Sequence, residues 1–135
     1  MPQKPLLSVA VIVQNHRDVV ESTLTSLYEL STIPFELLII NDGSTDGSDK
    51  VVQSVLDYYQ HEQTFYFSHD TPIGRGNALN ESLVECSGSV FWAPETINRI
   101  DEENLSSQLQ QLTNSGRGML LQEHQLPTSH HHWLK

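Results

Sequence analysis

The sequence has one cysteine, Cys86, among its 135 residues. A lone thiol excludes an intramolecular disulfide framework and fits a reducing, cytoplasmic setting. Basic residues are also scarce, with seven Lys and Arg against 17 Asp and Glu and a formal charge of −10. A surface of that sign repels nucleic-acid phosphates and anionic bilayers, which argues against both as partners. No apolar run approaches the ~20 residues of a membrane span, and the start does not have the form of a signal peptide. Internal repeats and linker-like stretches are absent as well. The length suits one domain with a single core.

What the chain does have is alternation. "LSVAVIV" (Leu7 to Val13) is a near-continuous apolar run, the pattern of a strand buried on both faces. Asp18 then reads as a helix N-cap with Glu21 at capping-box spacing, followed by Val20, Leu24, Leu27 and Leu30 at helical intervals. "FELLII" (Phe35 to Ile40) predicts a second strand. Asp49 is placed to cap a second helix with Val51, Val52, Val55, Leu56 and Tyr59 on one face. Strands at 64–68, 89–93 and 118–122 alternate with helices at 76–85 and from about Asp101, the latter through Leu105, Leu109 and Leu112. Strand–helix alternation of this kind predicts an α/β fold, a mostly parallel sheet flanked by helices. The domain is expected to span residues 1–125. The tail 126–135 has no periodicity and is expected to be flexible. His130, His131 and His132 in that tail point different ways in an extended chain, so a specific metal site there is not expected.

The stretch "ELLIINDGSTDGSD" (Glu36 to Asp49) carries the most chemistry. As a calcium loop of the EF-hand type it fails: counted from Asn41, alternate positions fall on Gly43 and Thr45, and position twelve is Val52. As a hairpin around Asp42-Gly43 it lacks a returning strand, because the residues after Asp49 have helical periodicity. A strand–loop–helix unit remains. In a parallel sheet such loops face a ligand beyond the carboxyl ends of the strands, with Asn41 and Asp42 at the rim. On local grounds alone Asp42 and Asp46 would cap the next helix or form Asx-turns.

Three blocks, "LSVAVIVQNHRDVVESTLTSL", "FELLIINDGSTDGSDKVV" and "GRGNALNESLVECSGSVFWAPE", together resemble the nucleotide-binding half of family 2 glycosyltransferases. The resemblance covers about Leu7 to Leu121 and is most specific at "NDGSTDGS". It implies the GT-A (Rossmann-like) fold, truncated to its nucleotide-binding half, and inverting transfer of a sugar from a nucleotide-sugar, a UDP-sugar, to an acceptor. Asn15 matches a family Asn at the end of the first strand, and Gln14 stands where the family has a Tyr against the uracil. A lost stacking ring forfeits roughly 1–3 kcal/mol of base contact. Asp42 matches the carboxylate that accepts from the uracil imide, and Asn41 replaces the commoner first Asp. The resemblance thus favours ligand contact for Asp42 and Asp46. Arg75 lies where some members place an Arg against the diphosphate, beside a helix N-terminus.

Two departures bear on activity. The family ends its fourth strand in an Asp-x-Asp or Asp-Asp motif that holds Mn²⁺ or Mg²⁺. Here "WAPETIN" offers only Glu95, a weakened divalent-cation site. The family's acceptor half, with its catalytic base, normally follows the last strand. Glu123 and His124 stand there without a distinguishing pattern, so the base is not identified. The sequence therefore leaves open a glycosyltransferase, a degenerate nucleotide-binding module or pseudoenzyme, and the N-terminal fragment of a longer enzyme. A homodimer is expected as one way to cover the sheet edge and face that half a fold exposes.

Overall fold

The computed structural model describes residues 7–30, 33–94, 105–107 and 109–111 in full, and the backbone of the strand 119–122. Five strands, β1 (Leu7–Val13), β2 (Phe35–Asp42), β3 (Thr64–His69), β4 (Val90–Pro94) and β5 (Met119–Gln122), form one sheet in the order β3-β2-β1-β4-β5. Every adjacent pair is parallel. Helices α1 (Val20–Tyr28), α2 (Ser48–Tyr59) and α3 (Arg75–Glu85) make the crossovers. The chain winds outward from β1 through β2 to β3, then crosses to the other side of β1 for β4. That reversal opens a crevice beyond the carboxyl ends of β1 and β4.

The faces follow the strand period of two. Val9, Val11 and Val13 of β1 join Leu37 and Ile39 of β2 and Trp92 of β4 on the face covered by Val20, Leu24 and Leu27 of α1, Val52 and Val55 of α2, and Leu105 and Leu109. Ala10, Ile12, Ile40, Phe91 and Ala93 face the other way, toward Ala78, Leu79 and Leu83 of α3. All seven residues of β1 are buried. Each such aliphatic side chain stabilises the fold by about 1.5–3 kcal/mol, which is why the central strand reads as an unbroken apolar run. Trp92 is core, as its place in an apolar strand implies.

The helix starts differ from the sequence expectation. Asp18 does not cap α1: the helix begins at Val20 after a turn in which the His16 carbonyl accepts from Val19 and Val20 N–H. Asp49 does not cap α2: Gly47, at φ 95°, is the N-cap, and Asp49 sits in the first turn, where it accepts from Tyr66 Oη and Gln53 Nε2. Burial and this bond push the Tyr66 phenol up to about 12. β2 runs two residues further than its apolar pattern, to Asp42, because Asn41 and Asp42 pair with Ser68 and His69 of β3. Asp101, Leu112, Glu95, Glu123, His124 and the tail 126–135 lie outside the described residues.

Polar and aromatic closures sit at the amino edge of the sheet. Glu36 is buried on the α3 face, accepting from Ser8 Oγ at 2.5 Å, Ser87 N at 2.5 Å and Ser87 Oγ at 2.9 Å. Nearby, His61 stacks on Phe35 with centroids 4.7 Å apart, and Tyr28 stacks on Tyr59 at 4.8 Å. Thr64 Oγ1 bonds both Tyr28 Oη (2.8 Å) and His61 Nδ1 (2.9 Å). Burial holds the His61 imidazole below its ordinary 6.5, against the pull of Glu62. A neutral, depressed histidine contributes stability that is complete above the unfolded-state value of 6.5 and lost as pH falls through it. The melting temperature is therefore expected to fall between about pH 7.5 and about pH 5.5. His61→Phe keeps the stack, removes the titration and should flatten that fall; an unchanged slope in calorimetry would remove His61 as its source.

Candidate nucleotide-binding edge

The loop after β2 is built to hold the loop after β1. Asn15, His16 and Arg17 are consecutive, and each of their amides is claimed by a side-chain oxygen across the gap. Asn15 N–H donates to Ser44 Oγ (3.0 Å), His16 N–H to Ser48 Oγ (3.0 Å) and Arg17 N–H to Asp46 Oδ2 (3.0 Å). In return, Thr45 N–H donates to Asn15 Oδ1 (2.8 Å), and Ser44 Oγ donates to the Val13 carbonyl (3.4 Å). Asp46 Oδ1 also accepts from Ser48 N and Ser48 Oγ, capping the start of α2. The Ser48 hydroxyl and the backbone amides of Arg17, Ser48 and Asp46 itself hold the Asp46 carboxyl below the usual carboxylate range. Small oxygen-bearing residues are needed because only short acceptors reach a neighbouring backbone without pushing it away.

A second anchorage fixes the loop leading into α3. Asp42 is only 3% exposed, and its carboxylate accepts from Ile73 N–H at 2.7 Å and Gly74 N–H at 3.0 Å. Gly43, at φ 70°, lies directly against this loop: a Cβ there would stand 2.5 Å from Pro72 N. No side chain fits that approach. Gly74 then takes φ 95° and ψ 148° as the N-cap of α3, a conformation reserved for glycine.

The structure thus brings Gln14, Asn15, Asp46 and Arg75 to one rim. Gln14 and Asn15 are exposed just past β1, and Arg75 is exposed at the first residue of α3. It does not bring Asn41 and Asp42 to the surface. Both are buried as the last rungs of β2; Asn41 Oδ1 accepts from Ser44 N–H and its amide donates to Ser68 Oγ. Asp46 makes the Asx-turn contact to Ser48 N–H that local chemistry alone suggested, whereas Asp42 neither caps α2 nor forms an Asx-turn: it anchors the amides of Ile73 and Gly74 before α3. His69 ends β3 with Nε2 2.8 Å from Glu81 Oε1. Among the described residues no group of three or more His, Cys, Asp or Glu is placed to hold a metal ion.

Two residues of this edge, His16 and Arg17, were not picked out from sequence. His16 lies between the loop after β2 and the start of α3, where Asp46 and Arg75 both act on its charge. The Arg17 side chain packs against Gly47 at the α2 N-terminus, so a Cβ on Gly47 would meet its Cδ at 3.8 Å. Their only sequence signal was position, immediately after the strand-end Asn15. The N-termini of α2 and α3 open on the same edge, adding positive potential to a protein that is otherwise strongly acidic.

Solved structures give the fold. The chain superposes with a TM-score of 0.74 on the mannosyltransferase PcManGT of Pyrobaculum calidifontis, determined with GDP-Man and Mn²⁺, at 20% identity over 82% of this chain and 33% of that one. It matches S. aureus TarS 1-349 in complex with UDP with a TM-score of 0.68, at 21% identity over 80% of this chain and 32% of that one. The fold is that of the GT-A glycosyltransferases. The model of glycosyl transferase family 2 matches residues 8–119, and the chain belongs to that family. Among curated relatives, TuaG of Bacillus subtilis, a glycosyltransferase assigned to teichuronic acid biosynthesis, is 27% identical over 79% of this chain. The chain spans 42% of that protein's length.

The geometry makes Gly43 the most sensitive position of the edge. Gly43→Ala should lower stability by at least about 1–3 kcal/mol, since either the Pro72 backbone or β2 must shift. Asp42→Asn sets an amide donor against one of the two backbone N–H groups and should cost a similar about 1–3 kcal/mol. Unfolding free energies from denaturant titration within about 0.3 kcal/mol of the original protein for both variants would show that the loop is not anchored as described.

Proposed function

We propose that this chain binds the donor of an inverting family 2 glycosyl transfer, a UDP-sugar, at the carboxyl edge of β1, β2 and β4. The observation that supports this reading most is the switch-point crevice floored by the clamped loops after β1 and β2, with Arg75 and the α3 N-terminus beside it. Exposed Gln14 and Asn15 would line the base side. Asp42 would act there with the lone pairs its two amide bonds leave over, since an ionised carboxylate has about four acceptor sites. Asn41 would serve from beneath, by holding the turn at Ser44. The positively polarised α3 N-terminus and the Arg75 guanidinium would take the diphosphate.

A divalent cation, Mn²⁺ or Mg²⁺, would supply further neutralisation of the leaving diphosphate. The chain position fits: β4 is the neighbour of β1, so the residue after Pro94, Glu95, follows the strand that borders the crevice. In the reaction as a whole an acceptor hydroxyl attacks the anomeric carbon in line and loses its proton to a base. Nothing in the described edge is placed as that base, and the longer relatives of the family have more chain with which to supply it. No helix among the described residues is long and apolar enough to cross a membrane. With the lone half-buried Cys86, this suits a protein working in the cytoplasm on a soluble donor.

A second reading, a nucleotide-binding module without turnover, is favoured by Gln14 in place of an aromatic ring and by the burial of Asp42. Calorimetric titration with UDP, with and without Mn²⁺, separates the two. The transferase reading expects binding that strengthens with the metal, loss of that strengthening in Glu95→Gln, and weaker binding of CDP than of UDP. Metal-independent binding supports the module. Equal UDP and CDP affinities would take Asp42 out of base recognition. Transfer by these 135 residues alone is expected to be little or none.

A further inference from the structure

His16 is held from every side but one. Its amide donates to Ser48 Oγ at 3.0 Å, and its carbonyl accepts from Val19 N–H (3.0 Å) and Val20 N–H (2.8 Å). Its ring is fixed as well: Gln14 N–H donates to Nδ1 at 2.9 Å. Nδ1 must therefore be the unprotonated nitrogen, and the proton of the neutral ring resides on Nε2. No partner for Nε2 is found among the described residues, and the side chain is half-buried, so this donor reaches the open side of the edge. The charged groups acting on the ring come from both flanking elements, Asp46 in the loop after β2 and Arg75 at the start of α3. Burial, assisted by Arg75 and opposed by Asp46, holds the imidazole below its ordinary 6.5, so it is neutral at physiological pH.

A neutral histidine fixed in one tautomer, with its single N–H presented beside an arginine and a helix N-terminus, is a directed hydrogen-bond donor for an anion. We propose that His16 Nε2–H donates to the diphosphate of the sugar nucleotide, making His16, with Arg75, the diphosphate-contacting pair of this edge. The assignment rests on the nucleotide-sugar reading above and adds a residue to it. The Gln14 amide is then a positioning group. It selects the tautomer, which explains how a polar, flexible residue serves at position 14: its backbone, not its side chain, aims the imidazole. No proton is transferred; the Nε2–H bond to solvent is exchanged for one to a phosphate oxygen.

Two substitutions separate the two nitrogens. His16→Asn keeps an acceptor where Nδ1 stands and removes the Nε2 donor. His16→Gln carries an N–H out to the Nε2 position. UDP and uridine serve as probes, because only UDP carries the diphosphate. His16→Asn should keep its melting temperature and its uridine affinity and lose UDP affinity about ten- to hundredfold, the range for a hydrogen bond to a charged group. His16→Gln should recover part of that loss. In the original protein the His16 Nε2 resonance should move on addition of UDP and stay in place with uridine. An unmoved resonance, or undiminished UDP affinity in His16→Asn, overturns the assignment while leaving nucleotide binding intact. A parallel loss of melting temperature, uridine and UDP binding would make His16 a structural residue only. Failure of the original protein to bind UDP at all would overturn the nucleotide-sugar reading itself.

Discussion

The arrangement of this edge depends on a row of three backbone amides, those of Asn15, His16 and Arg17, each satisfied by a side chain from the loop after β2. A chain leaving a parallel strand has no ladder partner for these N–H groups, and the part-buried one of His16, left unmade, would cost about 1–3 kcal/mol. Ser48 removes that cost, and with Ser44 and Asp46, which take the amides of the exposed Asn15 and Arg17, it fixes the distance between β1 and β2 beyond the end of their pairing. The exposed Gln14 and Asn15, the tautomer of His16 and the entry into α1 all inherit their positions from this row. The polar loop is thus scaffold first, and its exposed surface is what the scaffold leaves over.

That division explains what could be read from the amino acids and what could not. β1 was legible to the residue because a central parallel strand buries both faces and has to be apolar throughout. The end of β2 was not, because Asn41 and Asp42 look like loop residues while pairing as strand; besides the nearby Ser44 amide, their polar groups are satisfied by Ser68 and the 73–74 amides, which lie far along the chain. The caps failed for the same reason. Asp18 and Asp49 have the right local spacing, but the turn at His16 and Gly47 start the helices, and Asp49 is drawn to Tyr66 of β3. Tertiary partners decided each case. Arg75 at the start of α3 was legible only through the family resemblance, since the Gly-x-Gly pattern around it is by itself a weak signal.

The site is also asymmetric in its rigidity. One side is made of strand ends and a loop pinned through Asp42 and Gly43, where backbone meets backbone with no room for a methyl group. The other carries exposed side chains, Arg75 at the first residue of α3 and Arg17 in the turn before α1. In the proposed reading a rigid wall suits recognition of a flat heterocycle, which is a matter of fixed donor and acceptor positions. Longer side chains suit a diphosphate, whose charge has to be followed by a flexible countercharge.

At the opposite edge, the buried Glu36 carboxylate joins Ser8 and Ser87, residues 28 positions before it and 51 after it. This has a consequence for the order of folding. A carboxylate in a water-excluded place is tolerable only once its donors have arrived, and here the donors come from β1 and from the turn that follows α3. The loop-closure entropy of the longer link exceeds that of the shorter by only about 0.5 kcal/mol, so length is no obstacle. Sequence order is. During synthesis β1, α1 and β2 emerge together and bring the Ser8 hydroxyl to Glu36, but the Ser87 donors, and the Gly88 amide that bonds Ser8, exist only once the chain has been made past α3. The α3 face of the first βαβ unit therefore keeps a charged group that calls for water until the third crossover brings its remaining donors.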